Sequence, residues 1–104
     1  MNRDNNLPVT ETTYYVLLAL LEPAHGYLIM QKVEELSNQQ VNIAAGTLYG
    51  AIENLLKQKL IQSVKSEDKR RKVYVITKKG KEVLLLDLER MRQMIEITET
   101  QLKF

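Results

Sequence analysis

The sequence predicts a mainly α-helical fold that carries one small β-hairpin. Apolar residues recur at helical spacing in three segments before residue 60, a stretch rich in β-branched residues follows at 61–77, and a long helical repeat ends the chain. A length of 104 residues suits one domain with an appended element, and 44% hydrophobic with 27% charged residues is ordinary for a globular protein. The chain contains no cysteine, which excludes disulfides and cysteine-ligated metals.

The first two helices are recognised by their boundaries. Thr10 supplies a capping hydroxyl for the first helix, which is apolar on nearly every side. This helix is expected to stop at Glu22, because Pro23 disfavours a helical conformation in the residue before it. A second helix follows Gly26, and the lone histidine, His25, is expected to be a loop or cap residue rather than a metal ligand.

The third helix begins near Ala44 and has two unlike faces. Its core face carries Leu48, Ile52, Leu55 and Leu56. The opposite face carries Gly46, Thr47, Gly50, Glu53, Asn54 and Lys57, with Tyr49 at the border. A glycine inside a helix costs about 1 kcal/mol against alanine, so two of them on an exposed face need a reason. They fit a close approach to a sugar–phosphate backbone, or they are surface glycines without a role.

After this helix the pattern becomes that of a β-hairpin. Strands are predicted over 61–65 and 71–77, with a turn at 66–69. Alternation in the second strand places Tyr74 and Ile76 on one face. Three helices followed by a two-stranded hairpin form a winged helix-turn-helix, whose third helix enters the major groove while the hairpin, called the wing, reaches a neighbouring groove or phosphates.

Positive charge is concentrated around the wing. Ten Lys and Arg between Lys57 and Lys81 stand against two acids, a charge of +8, whereas residues 1–56 carry −4 and residues 82–104 carry −2. Such a patch attracts a polyanion by releasing its counterions. A merely solvated charged face is the alternative, and the neighbouring helix favours DNA.

The last helix is long for so small a chain. Its apolar seam comprises Leu84, Leu88, Met91, Ile95 and Leu102, at alternating spacings of three and four with Thr98 completing the repeat. Val83, Leu85 and Leu86 add a second apolar side at its start, which is expected to lie on the winged domain. The seam beyond Met91 has no partner left in the chain, which predicts the same helix of a second subunit and hence a homodimer. Packing on the first helix alone is the alternative.

The predicted organisation is a flexible tail at 1–9, a winged helix-turn-helix domain at 10–80 and a dimerisation helix at 81–104. The longest apolar run, Val16–Leu21, is far too short to span a membrane, and the start of the chain lacks an apolar signal core. A cytoplasmic protein without a membrane partner is expected. A single histidine and no glycine-rich phosphate loop leave no catalytic constellation, so no enzyme, metal site or cofactor is expected.

Three segments resemble the signature blocks of the PadR family of bacterial transcriptional regulators. They are HGYLIMQKVEEL, AAGTLYGAIENLLKQKLI and KRRKVYVITKKGKEVL. The chain is similar to the short subfamily with a single C-terminal helix. The resemblance implies a homodimer that binds a palindromic operator, usually as a repressor, and release by a small molecule in many members. One departure is Lys59, which stands where the family commonly has a glycine after the recognition helix.

The candidate DNA-binding residues lie on the third helix and on the wing. They are Gly46, Thr47, Tyr49, Gly50, Asn54, Lys57, Lys69, Arg70, Arg71 and Lys72. Tyr49 is expected to donate to a phosphate, and packing of its ring on the domain edge is the alternative. The wing cations are expected to set position and affinity through phosphates, which carry no direct sequence information. Insertion of Arg70 or Arg71 into a narrow minor groove is the alternative.

Two further interpretations concern partners. A small-molecule effector would be lined by Tyr14, Tyr15, Leu18, Met91 and Met94, unless these side chains fill one another's space and leave no cavity. The alternative function is a winged-helix module for protein–protein contact, whose basic wing docks an acidic partner. Binding to duplex DNA with a steep salt dependence distinguishes the regulator from this module.

Overall fold

The computed structural model describes residues 6–68 and 70–103, which form four α-helices and one three-stranded antiparallel sheet. In chain order the elements are α1 (Glu11–Ala19), β1 (Ala24–His25), α2 (Gly26–Leu36), α3 (Ala45–Lys57), β2 (Ile61–Val64), β3 (Val73–Ile76) and α4 (Lys78–Leu102). Side chains from α1, α2, α3, the sheet and the first turns of α4 share a single apolar core. This is the predicted mainly α-helical winged fold.

Helix α1 begins as predicted but ends earlier than expected. The Thr10 hydroxyl caps it by accepting from the amide of Thr13 at 3.2 Å. The helix ends at Ala19 rather than Glu22. The carbonyl oxygen of Leu20 accepts from the amide of Ile76 at 2.8 Å, so the chain leaves the helix to meet the sheet before Pro23 is reached.

A third strand, β1, was not predicted. It pairs antiparallel with β3, placing Ala24 opposite Tyr74 and His25 opposite Val73, so that β3 is the central strand. Two residues are too few to show an alternating pattern, and only the distant β3 gives them a partner. The predicted cap role of His25 is confirmed, because its Nδ1 accepts from the amide of Leu28 at 3.4 Å.

The hairpin has shorter strands than predicted. Pairing runs from Ile61 opposite Ile76 to Val64 opposite Val73, and residues 65–68 and 70–72 are turn and loop. Arg71 therefore lies in the loop of the wing and not on the return strand. Its backbone amide donates to the carbonyl of Asp68 at 3.0 Å, inside the turn, instead of entering the ladder.

Helix α3 ends in a Schellman motif built on a lysine. The amide of Lys59 donates to the carbonyl of Leu56 at 3.0 Å, and that of Leu60 donates to Leu55 at 3.0 Å. Lys59 takes the left-handed conformation that the motif requires, with φ of 61°. The Lys79 ammonium donates to the carbonyl of Gln58 at 3.1 Å, which adds a cation at the negative end of the helix dipole.

Helix α4 begins directly beside this turn, at Lys78, and Thr77 opens it as predicted. Thr77 is its cap: its hydroxyl accepts from the amide of Gly80 at 3.1 Å and donates to the carbonyl of Lys59 at 2.7 Å. The Thr77 amide also donates to the carbonyl of Leu60 at 2.9 Å. A Cβ on Gly80 would overlap the Leu60 carbonyl oxygen and come within 2.6 Å of Cγ1 of Ile76.

The face of α4 that packs on the domain includes Val83, as predicted, but otherwise differs from the prediction. Its buried positions are Gly80, Val83, Leu84 and Asp87, which follow the i, i+3, i+4, i+7 spacing of one helical stripe. Leu85 and Leu86 were expected on the domain, but they point away from it, and Leu85 is 65% exposed. At 100° per residue they cannot share the stripe.

Gly80→Ala is expected to lower the free energy of unfolding by about 2–3 kcal/mol. The added methyl would clash with the Leu60 carbonyl oxygen after α3 and with the Ile76 side chain of β3. Gly50→Ala is the matched control, since no described atom lies within 4 Å of its added methyl, and it should stabilise α3 by roughly 0.5–1 kcal/mol. Urea unfolding measures both. Equal stability of the two variants would contradict the close contact at Gly80.

Candidate nucleic-acid interface

The outer face of α3 is fully presented to the surroundings. Leu48, Ile52 and Leu55 hold the helix in the core, as predicted, and Leu56 is half-buried. Every residue predicted for the opposite face is exposed: Gly46, Thr47, Tyr49, Gly50, Glu53, Asn54 and Lys57. The packing of α3 therefore leaves one face free for a partner.

The two glycines leave the backbone of α3 bare. A Cβ built on either Gly46 or Gly50 meets no described atom within 4 Å, so packing within this chain does not require glycine at either position. Neither glycine has a positive φ. What they supply is room outside the helix, where a sugar–phosphate backbone or a base edge can approach closely.

The polar groups on this face are held loosely. Glu53 and Lys57 form an i, i+4 ion pair at 4.0 Å between two exposed side chains, which contributes no more than about 0.5 kcal/mol. The Asn54 carbonyl oxygen accepts from the amide of Gln58 at 3.3 Å, which leaves its own NH₂ free to donate. Asn54 and Thr47 thus present exposed polar groups on this face, and their predicted contact with base edges stays a prediction.

Tyr49 connects α3 to the start of α2. Its ring lies beside Gly26, where an added Cβ would stand 2.8 Å from the Tyr49 hydroxyl oxygen. Burial raises the pKa of Tyr74, and the nearby Tyr49 phenol raises it further. Tyr49 nevertheless remains 56% exposed. Its ring thus packs on the domain edge while part of it stays accessible.

The wing presents exposed cations to the surroundings. Asp68 organises the turn, since its carboxylate accepts from the amide of Arg70 at 2.9 Å and its own amide donates to the Ser66 hydroxyl at 3.3 Å. Arg70, Arg71 and Lys72 are exposed, and Lys69 lies outside the described residues. Neither ion pair found within residues 6–68 and 70–103 involves a wing cation.

A groove separates α1 from α4 on another side of the molecule. It measures about 400 Å³ and contains four of the five predicted effector contacts: Tyr14, Tyr15, Leu18 and Met91. Met94 does not line it; its sulfur instead accepts from the guanidinium of Arg90 at 3.5 Å. The predicted cluster therefore forms around an open groove.

Asp87 gives this groove a polar floor that sequence reasoning missed. It is only 1% exposed and accepts from Nε of Arg90 at 2.6 Å. Burial raises the pKa of Tyr14, the charge of Asp87 raises it further, and Arg92 opposes the rise. The sequence does indicate this residue, because Asp87 is the fourth position of the helical stripe formed by Gly80, Val83 and Leu84, which is otherwise apolar.

The predicted dimer seam falls into two parts. Leu84 belongs to the core of its own subunit, and Leu88 and Met91 are half-buried against the domain. Ile95 and Leu102 are 57% and 62% exposed, and every residue from Arg92 to Lys103 is exposed. The outer part of the seam is therefore the part that packing within this chain leaves most exposed.

Within the described part of the chain, no helix is both long enough and apolar enough to cross a bilayer. The same residues contain no group of three or more His, Asp or Glu side chains placed to hold a metal ion.

A third helix with an exposed outer face, lying beside a basic wing, defines a winged helix-turn-helix protein of the DNA-binding class. Residues 15–85 match the sequence model of the transcriptional regulator PadR-like family, and the chain belongs to that family. Its members are DNA-binding regulators of transcription and not enzymes. No curated protein matches the chain in sequence.

Solved structures agree with this assignment. A PadR family transcriptional regulator from Eggerthella lenta is 28% identical, with a TM-score of 0.71 over 86% of this chain and 80% of that one. A PadR-like transcription factor from Bacteroides fragilis is 29% identical, with a TM-score of 0.68 over 86% and 87%. A transcriptional regulator from Clostridium thermocellum, at 22% identity, shares the fold with a TM-score of 0.75 over 95% and 97%.

Gly46→Ala and Gly50→Ala are expected to weaken DNA binding roughly tenfold each, because a methyl occupies the space through which the duplex approaches α3. The variants should be no less stable than the wild type, since alanine is the better helix former. Fluorescence anisotropy with duplex DNA measures the affinity. Gln93→Ala, at an exposed position of α4, controls for substitution on a helix surface, and unchanged affinity in both glycine variants would contradict a close approach.

Proposed function

We propose that the protein is a homodimeric repressor of the short PadR-like type that binds a palindromic operator in the cytoplasm. Two α3 helices would enter successive major grooves, and each wing would contact the flanking phosphates. The observation that carries this proposal is the pairing of an exposed α3 face, where both glycines leave open space, with a wing whose described cations form no ion pair with any other described residue.

The wing supports affinity more than sequence readout. Arg70, Arg71 and Lys72 lie on an exposed loop, and phosphate contacts from such cations carry no sequence information. Sequence preference must then come from the few polar side chains of α3 and from the shape of the duplex. A regulator of this kind gains specificity by matching two half-sites to one dimer.

The outer part of α4 supports the dimer. The molecule extends 55 Å along its longest axis against 31 and 21 Å across, so a long helix projects beyond a small domain. That projection carries four exposed apolar side chains: Met94, Ile95, Ile97 and Leu102. An antiparallel or parallel contact with the same helix of a second copy would cover them and give two DNA-binding heads.

The groove between α1 and α4 supports a site for a small-molecule effector. It lies where α4 leaves the DNA-binding domain, so a ligand there would alter the direction of α4 relative to α3. Its walls are the tyrosines and Met91, and its floor is the Asp87–Arg90 ion pair. A ligand would therefore need an apolar body with a polar end.

Arg70→Ala with Arg71→Ala is expected to weaken operator DNA and random DNA by similar factors and to reduce the slope of log K against log salt by about two phosphate contacts. Lys103→Ala, which removes one cation at the far end of α4, is the control for loss of positive charge away from the wing. A variant that loses only operator binding would make the wing a base reader. A wild-type protein that binds no duplex at low salt would instead favour a wing that docks an acidic protein.

Ile95→Asp with Leu102→Asp is expected to give a folded monomer, because both side chains are exposed within one subunit and contribute only to the contact between subunits. Affinity for a two-half-site operator should fall by at least about a hundredfold, as each head then binds alone. Light scattering and anisotropy measure the two effects. Glu96→Ala with Glu99→Ala is the control, and an intact dimer of the aspartate variant would remove these residues from the interface.

A further inference from the structure

The backbone conformation of Gly26 does not require glycine. It is the first residue of α2, and its φ is not positive, so any L-residue could adopt its conformation. Alanine would be the better helix former at this position. The lower helix propensity of glycine must therefore be compensated by a contact that a larger side chain would prevent.

The side chain of Tyr49 makes this contact. The three atoms nearest a Cβ on Gly26 all belong to the Tyr49 ring: Oη at 2.8 Å, Cζ at 3.2 Å and Cε1 at 3.5 Å. An alanine methyl would therefore collide first with the outer end of this flexible side chain. The collision would move the ring and leave the fold intact.

The ring stands where the two helices of the helix-turn-helix meet. Tyr49 belongs to α3, and its hydroxyl lies beside the first residue of α2. First-turn amides lack partners within a helix, and the positive end of the α2 dipole favours an anion beside this hydroxyl. In a helix-turn-helix the helix before the recognition helix crosses the DNA backbone.

We propose that Gly26 is a positioning residue for DNA binding, which seats the Tyr49 hydroxyl against the start of α2 so that it donates to a phosphate. This inference rests on the proposed function, since it requires a duplex on α3. It adds a residue that contacts no DNA itself and acts through Tyr49.

A purely structural role for the contact gives different expectations. If the ring only packs on the domain edge, removing the hydroxyl changes stability and leaves binding alone. If the hydroxyl contacts a phosphate, its removal weakens binding without altering the salt slope, because a neutral donor releases no counterion. That unchanged slope separates Tyr49 from the wing arginines.

The test is a double-mutant cycle with Gly26→Ala, Tyr49→Phe and the combined variant. The probes are a random-sequence duplex and the duplex upstream of the protein's own gene, at several salt concentrations, with urea unfolding alongside. Tyr49→Phe and Gly26→Ala should each weaken both duplexes by about tenfold, at unchanged salt slope and stability. The combined variant should bind like Tyr49→Phe alone, because the two substitutions remove the same contact.

Two outcomes would overturn the proposal. Wild-type affinity in Gly26→Ala would show that the seat is unnecessary, and losses that multiply in the combined variant would show that the residues act independently. Failure of the proposed function looks different, because the wild-type protein would then bind neither duplex. If Gly26→Ala proves unstable, Tyr49→Phe alone still decides whether the hydroxyl contributes to binding.

Discussion

One backbone carbonyl, that of Leu60, fixes how the parts of this molecule are joined. It accepts from the amide of Thr77 at 2.9 Å, and Gly80 lies so close that a Cβ there would overlap it. Leu60 ends the turn after α3, while Thr77 and Gly80 open α4. The recognition helix, the wing between them and the long last helix are therefore positioned against one another through a single peptide group.

Lys59 shows what this junction demands of the sequence. Its left-handed conformation costs roughly 1–2 kcal/mol for a residue with a Cβ. The Thr77 hydroxyl offsets part of this cost by donating to the Lys59 carbonyl at 2.7 Å, and the Schellman hydrogen bonds add to it. The departure from the family's glycine therefore leaves the turn intact. It adds a positive charge at the end of the recognition helix, close to the wing.

Features that depend on local pattern could be read from the sequence, and features that depend on distant partners could not. The two faces of α3 and the cap at His25 follow from spacing and composition alone. Strand β1 and the early end of α1 exist because β3 supplies hydrogen bonds from some fifty residues away. The buried face of α4 was predicted wrongly at Leu85 and Leu86, because two adjacent leucines indicate an apolar side. The residue buried there is the charged Asp87, which forms an ion pair with Arg90.

The exposed end of α4 links the shape of this chain to its abundance. From Arg92 to Lys103 no described side chain is buried, so these three turns depend on helical continuity alone, and a free helix of such length is marginal in water. If a second copy covers this segment, the fraction of chains in which the segment is helical increases with protein concentration. The melting temperature would then rise with protein concentration, and dilution would fray the helix before the DNA-binding domain unfolds.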